Sequence, residues 1–524
     1  MATGAELGYQ TNASATAMAQ EIFGSDVEIR SASYTGDRNS SAIYSNGDAL
    51  APGATPGDSG VILSTGRVRD YTRSNGDPNR ASNTSTNTRG ENNNPDFNAA
   101  AGTSTYDAAY LDVTFVPTGD TMTMQFVFAS EEYPEFQNSI YQDFVGVWVN
   151  GAQVDISVGN GDIDPGNVSN GSNQNLYQDN TGDAFNTEMD GLTITMTLTM
   201  NVNAGQENTI RIGIADVSDS SYDSSLLIAA NSLQTDLVAI DDSANLFPTG
   251  QTTIDVTAND IDSSGGMLTI THLNGQAVNA GDTVTLSTGQ VLQLNADGTI
   301  TVFGDGDIED INFTYTIDNG SQSDVGFVAV SSVPCFAAGT RILTEAGEAP
   351  VETLRAGDAI MTRDSGVQPL RWIGQRRVAA VGDFAPICIR AGTFGDHRQL
   401  LVSPQHRVLV RDGLAELLFG EAEVLVAAKD LVNGHSVTRR EGGEVTYVHL
   451  MFDAHQVVYS DGLPTESFLP GPQTSSLFER QALDEICALF PELDPQTGAG
   501  YGPAARRTLR SYEAQLLATA QHAA

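Results

Sequence analysis

Seven short runs of apolar and polar residues follow one another between residues 252 and 330: Thr252–Thr257, Leu268–His272, Thr283–Leu286, Val291–Leu294, Thr299–Phe303, Asn312–Ile317 and Val325–Val330. The turn sequences NADG at 295–298, FGDGD at 303–307 and DNG at 318–320 separate several of them. Runs this short, closed by Gly, Asn and Asp, have the length and period of strands rather than helices. The same texture extends toward the N-terminus, through Tyr110–Phe115, Met122–Ala129, Val145–Val149, Thr193–Met200 and Thr209–Ala215. Residues 35–105 are rich in Asn, Thr, Ser, Gly and Asp and read as long surface loops around a few strands such as Gly60–Thr65. Residues 14–23 read as a short amphipathic helix.

A chain of 524 residues has room for three or four domains. The pattern divides it into four parts. Residues 1–235 are expected to form a β-sandwich or jelly-roll-like domain. Residues 236–333 have the strand density of an immunoglobulin-like β module and read as a spacer. Residues 334–471 carry short strands with many turns and form a compact all-β unit. Residues 472–524 read as a helical tail: Leu477, Gln481, Asp484 and Ala488 share one side, with Ser475 or Ser476 as the cap. A second helix is expected from Pro503 or Ala504 toward Gln521. The fold class is therefore mainly β and multidomain, ending in helices.

Charge changes character at the same boundary. Residues 1–334 hold 43 acidic side chains against 8 arginines and no lysine, so most of the net charge of -41 lies there. Such a surface repels nucleic acid and anionic membranes and favours cations, Ca²⁺ above all. No stretch has the length of a membrane span. The N-terminus lacks the basic end and apolar run of a secretory signal peptide. The expectation is a secreted or cell-surface protein exported by bacterial secretion machinery that needs no such signal, with a surface or matrix ligand that the sequence does not identify. Cys335, Cys388 and Cys487 are too few and too widely spaced for a disulfide framework. Cys388 and Cys487 lie in the apolar runs ICI and ICALF and read as buried thiols. Phosphate-loop, dinucleotide-binding, H-E-x-x-H and paired C-x-x-C motifs are absent.

Chemistry concentrates after residue 334. Cys335 opens CFAAGTRILTEAGEAPVETLRAGD, Ser403 and His406 lie in SPQHRVLV, and His449 and His455 lie in TYVHLMFDAHQVVYSDGL. A thiol with two histidines and a serine can make a self-processing site. In this reading Cys335 is the nucleophile, His406 protonates the departing amide nitrogen, His455 takes or relays a proton, and Ser403 belongs to the S-x-x-H turn.

Those three blocks resemble the Hint family, the fold shared by inteins and hedgehog autoprocessing domains, in its bacterial form. The resemblance covers residues 335–470, with Leu354–Asp358 as the hydrophobic-x-Gly-Asp segment and Ser403 standing where threonine is usual. It implies a horseshoe-like all-β domain and cysteine-dependent cleavage through a thioester at Pro334–Cys335. Splicing inteins end in His-Asn; here Glu466 and Ser467 stand at those places, so splicing is not expected. Pro334 hinders attack on its carbonyl. A silent Hint fold in an adhesion or structural protein is the alternative reading.

Two further segments, MQFVFASEEYPEFQNSIYQDFVGVWVNG at 124–151 and IRIGIADVSDSSYDSSLLI at 210–228, resemble the choice-of-anchor domains of bacterial secreted and surface proteins. Residues 236–333 resemble cadherin- or immunoglobulin-like repeats. Acidic residues gather beside the strands of the first domain: Glu131, Glu132, Glu135, Asp143, Asp216, Asp219 and Asp223. Two such clusters at strand ends supply the oxygens a Ca²⁺ ion requires, and these seven are the candidate ligands. The cleavage itself needs no cofactor.

Overall fold

The computed structural model describes residues 2–137, 139–154, 163–246, 251–305, 311–331, 335–380, 385–411, 413–419, 421–469, 489–490, 501, 504–509 and 514. The chain is mainly β, with a few short helices, and divides into two compact units.

The first unit comprises residues 1–242, 255–300 and 311–329. Its centre is a pair of antiparallel sheets. One has eight strands, among them Ser41–Ser45, Ser59–Ser64, Thr121–Ser130, Met196–Asn201 and Ser224–Ala229. The other has five, in the order Val27–Thr35, Thr105–Pro117, Asn208–Val217, Phe144–Val149, Ala152–Gln153. Period-two alternation turns Leu111, Val113, Phe115, Ile210, Ile212, Val145 and Val147 inward, against Met124, Phe126, Leu226 and Ile228 of the larger sheet. The larger sheet is apolar on its second face too, where Tyr44, Ile62, Val127 and Leu227 pack with Leu7 and Tyr71. The expected sandwich is present. The helix expected at 14–23 spans Ala15–Ile22 and is capped by Ser14, whose hydroxyl accepts from Ala17 N at 3.1 Å.

Residues 236–333 do not make a body of their own. Residues 255–300 and 311–329 pack with the first domain, and 243–254 and 301–310 group with the second unit. Buried polar residues explain the first association. Gln125 donates to Ser323 O at 2.8 Å and to Asp324 Oδ1 at 3.3 Å. Asn175 accepts from Ser287 Oγ at 2.7 Å and donates to Asn312 O at 3.1 Å.

The second unit carries two sheets. A six-stranded sheet runs Trp372–Ala379, Glu444–Met451, Phe336–Ala337, Leu400–Val402, Ile387–Ile389, Val437–Arg439. An eight-stranded sheet includes Arg341–Thr344, Ala359–Thr362, Arg407–Arg411, Glu423–Ala427, Val457–Ser460 and Leu463–Glu466. Phe336, Ile342, Ile360, Ile387, Val402, Val448, Leu450 and Val458 share the core between them. Cys388 is buried, as its apolar run predicts; Cys487 lies outside the described residues. The first tail helix lies almost wholly outside them as well. The second does not begin where expected: residues 504–509 are not helical, with a bend at Ala505 and Arg506 and a β-bridge from Thr508 to Leu425. Leu425 N donates to Arg507 O and Leu509 N to Leu425 O, both at 2.8 Å, so backbone pairing to a neighbouring strand overrides local helix propensity.

Candidate active site around Cys335

The short strand Phe336–Ala337 lies between two others, with Phe336 opposite Val402 on one side and Val448 on the other. The residue after each partner is therefore brought beside Cys335. Ser403 is one: Cys335 N donates to Ser403 Oγ at 2.8 Å, and Ser403 N donates to Cys335 O at 2.9 Å. His449 is the other, its Nε2 standing 3.4 Å from Cys335 Sγ. All three are buried.

His406 follows from the S-x-x-H turn, in which His406 N donates to Ser403 O at 3.1 Å. Its ring packs on Phe336, centroids 4.3 Å apart, and neither ring nitrogen has a hydrogen-bond partner among the described residues. Burial lowers its pKa to about 4, partly offset by Glu466, so the imidazole is neutral at pH 7.

His455 has other partners. Its Nδ1 accepts from Ala505 N at 3.0 Å, which leaves the proton on Nε2, 3.1 Å from Ser467 O. Glu466 Oε2 lies 3.6 Å from the same nitrogen. Burial pushes the Glu466 carboxyl up, but Arg407 and His455 outweigh it and hold it at about 2. Arg407 binds it twice, through its backbone N at 2.9 Å and its guanidinium at 3.1 Å. Ser467 Oγ accepts from Gln456 N at 3.0 Å. The structure thus brings Cys335, Ser403 and His449 into contact and sets His406 on the adjoining Phe336. It gives His455 to the Ser467 carbonyl. The sequence names His449 without a role, because nothing local shows that its strand is the one beside Cys335. Pro334 lies outside the described residues.

The acidic candidates of the first unit separate. Glu132, Asp143 and Asp216 come together: Asp143 N donates to Glu132 Oε2 at 2.9 Å, while Asp143 accepts from Val217 N at 3.0 Å and Ser224 Oγ at 2.7 Å. Burial first, and then mutual repulsion among carboxylates, raises the pKa of Glu132 and Asp216; burial raises that of Asp143. Glu131 turns elsewhere. It is fully buried, and burial together with Asp190 and Glu188 pushes it up to about 9. The sequence reading does not single out those two partners. Asp223 is buried and accepts from Thr86 N at 2.6 Å, whereas Glu135 and Asp219 are exposed. Among the described residues no three acidic, histidine or cysteine side chains are arranged to hold a metal ion, and no helix is long and apolar enough to cross a membrane.

Comparison with known proteins agrees with the two specific resemblances. Residues 334–472 match the Hint domain and residues 8–234 match the choice-of-anchor L domain; both are present in this chain. A crystal structure of the gp41-1 intein is similar at 10% identity over 25% of this chain and 97% of that one, with a TM-score of 0.17. No curated protein matches the chain.

Proposed function

We propose that the Hint domain cuts its own chain between Pro334 and Cys335 through a thioester, without splicing. The observation that carries this reading is the 3.4 Å approach of His449 Nε2 to Cys335 Sγ, inside a domain that matches the Hint family. Members of the wider hedgehog and intein superfamily perform cysteine-based autoprocessing.

In this mechanism His449 takes the thiol proton and leaves a thiolate. The thiolate attacks the carbonyl carbon of Pro334, the carbon–nitrogen bond breaks, and the nitrogen of Cys335 departs as an amine. The imidazolium of His449 returns the proton to that nitrogen. Ser403 Oγ accepts the N–H of the same nitrogen and so fixes the amide that must leave. His406 is neutral at pH 7 and packs on Phe336 beside this site, so the proton comes from His449 rather than from His406. Water or an added thiol then opens the thioester. Serine at position 467 has no side-chain amide to cyclise, and splicing has no second half.

Residues 1–334 are then the released portion, an acidic adhesion-like module exported to the cell surface or medium. Intact mass with and without hydroxylamine tests the reading. Fragments corresponding to 1–334 and 335–524, absent in Cys335→Ala, are expected. A parent that stays whole in hydroxylamine while folded makes the Hint domain a silent structural one.

A further inference from the structure

The five-stranded sheet of the first unit has one face in the core. Its other face carries a row of side chains in register across all five strands: Ser33 opposite Asp112, Asp112 opposite Arg211, Arg211 opposite Trp148, and Trp148 opposite Gln153. Ser31, Thr114 and Thr209 lie two residues along on three of these strands, on the same face. A cleft of about 500 Å³ lies over these rows, bordered by Asp96, Asp112, Trp148 and Arg211 together with the hydroxyls. That volume is in the range of small-molecule sites.

The polar groups here are exposed to solvent and held in place by one another. Arg211 grips Asp112 with two nitrogens, Nε to Oδ1 at 2.8 Å and Nη2 to Oδ2 at 3.2 Å, and reaches Asp96 Oδ2 with Nη1 at 2.5 Å. Its guanidinium lies over the Tyr110 ring, 4.4 Å from the centroid. Trp148 is fixed against Phe97, centroids 4.9 Å apart. Gly146 is required beneath it, because a Cβ there would come within 2.4 Å of the indole.

We propose that this cleft binds a neutral oligosaccharide. One guanidinium faces two carboxylates, so the site carries no surplus positive charge, and residues 1–334 are strongly acidic. Phosphate, sulfate and uronate groups are repelled. Lipid is disfavoured by the hydroxyl rows. A neutral polyol meets what is present: carboxylate oxygens accept from its hydroxyls, and the guanidinium and the Ser and Thr hydroxyls donate to them, with Trp148 as an apolar border.

The test uses the full chain and saturation-transfer NMR with maltotriose, cellotriose, mannotriose and chitotriose, each at about 10 mM, beside trigalacturonate. At least one neutral trisaccharide should give transfer, and trigalacturonate none. Ser33→Trp, which fills the cleft from an exposed position, should weaken binding about tenfold or more; Arg211→Gln should do so by removing the central donor. Because the Arg211 change also frees two carboxylates and can unsettle the sheet, Ser33→Trp is the deciding variant. Silence from all four neutral sugars, preference for trigalacturonate, or unchanged binding in Ser33→Trp overturns the proposal.

Discussion

His406 is a neutral imidazole with a folded pKa of about 4, below the ordinary histidine value of 6.5, because burial disfavours its charge. As pH falls below 6.5, the unfolded chain takes up the proton first, so stability is lost between pH 6.5 and 4. The loss is on the order of 3 kcal/mol at most. Glu466, held at about 2 by Arg407 and His455 against the cost of burial, extends the loss to lower pH. Hydrogen-exchange protection of peptides from 335–469, taken relative to the intrinsic exchange rate at each pH, should therefore fall across this window, and His406→Gln should flatten the dependence. For the chemistry, His449→Gln should slow fragment release about a hundredfold, the usual scale for loss of a positioned base. His455→Gln should act mainly on the Ser467 segment. If His455 proves the more damaging of the two, the assignment of His449 as base is wrong.

At the scale of elements, the Glu132–Asp143–Asp216 group joins the ends of three strands, and its carboxyls keep protons well above the usual carboxylate range. Folded pKa values raised by burial give the opposite sign to His406. Their stabilisation is complete below about pH 4 and is lost as pH rises toward the folded values; Asp223, pushed up to about 7, follows the same rule. Peptides from 121–130 and 208–229 should be less protected, relative to the intrinsic exchange rate, at pH 8 than at pH 5. Millimolar Ca²⁺ at pH 8 tests the sequence expectation of a Ca²⁺ site: a melting temperature raised over that in chelator supports it, and no rise leaves protons as the only counter-charge. A smaller effect belongs to the helix Pro95–Ala101, whose Asn94 cap accepts from Asp96 N at 3.0 Å and Phe97 N at 3.3 Å. Asn94→Ala should cost about 1 kcal/mol in chemical denaturation.

Across the whole molecule, the two units should answer pH in opposite directions. Acid stabilises the first and weakens the second, so their melting transitions should separate and shift against each other between pH 8 and pH 5. Charge asymmetry gives cleavage a second readout. The fragment 1–334, with 43 acidic residues against 8 arginines, should bind an anion exchanger far more tightly than 335–524. Co-elution after cleavage would mean that the fragments remain associated.

Much of this was legible in the residues alone. Period-two alternation closed by Gly, Asn and Asp determined strands and sandwich, because which face is buried follows from side-chain period. The spacing of Cys335, Ser403 and His406 pointed to one site, since the S-x-x-H turn is local. What no local pattern carries is which strands become neighbours. Register across Phe336 put His449, rather than His455, on the Cys335 sulfur. Backbone pairing of 507–509 to Leu425 kept residues 504–509 from forming the expected helix. Buried hydrogen bonds at Asn175 and Asp324 joined much of 236–333 to the first domain. Strand ends meeting in space divided the acidic residues into two groups and gave Glu131 its partners Glu188 and Asp190. Sequence determines the period and the turns; long-range pairing, whose partners lie tens to hundreds of residues apart, decides which side chains touch.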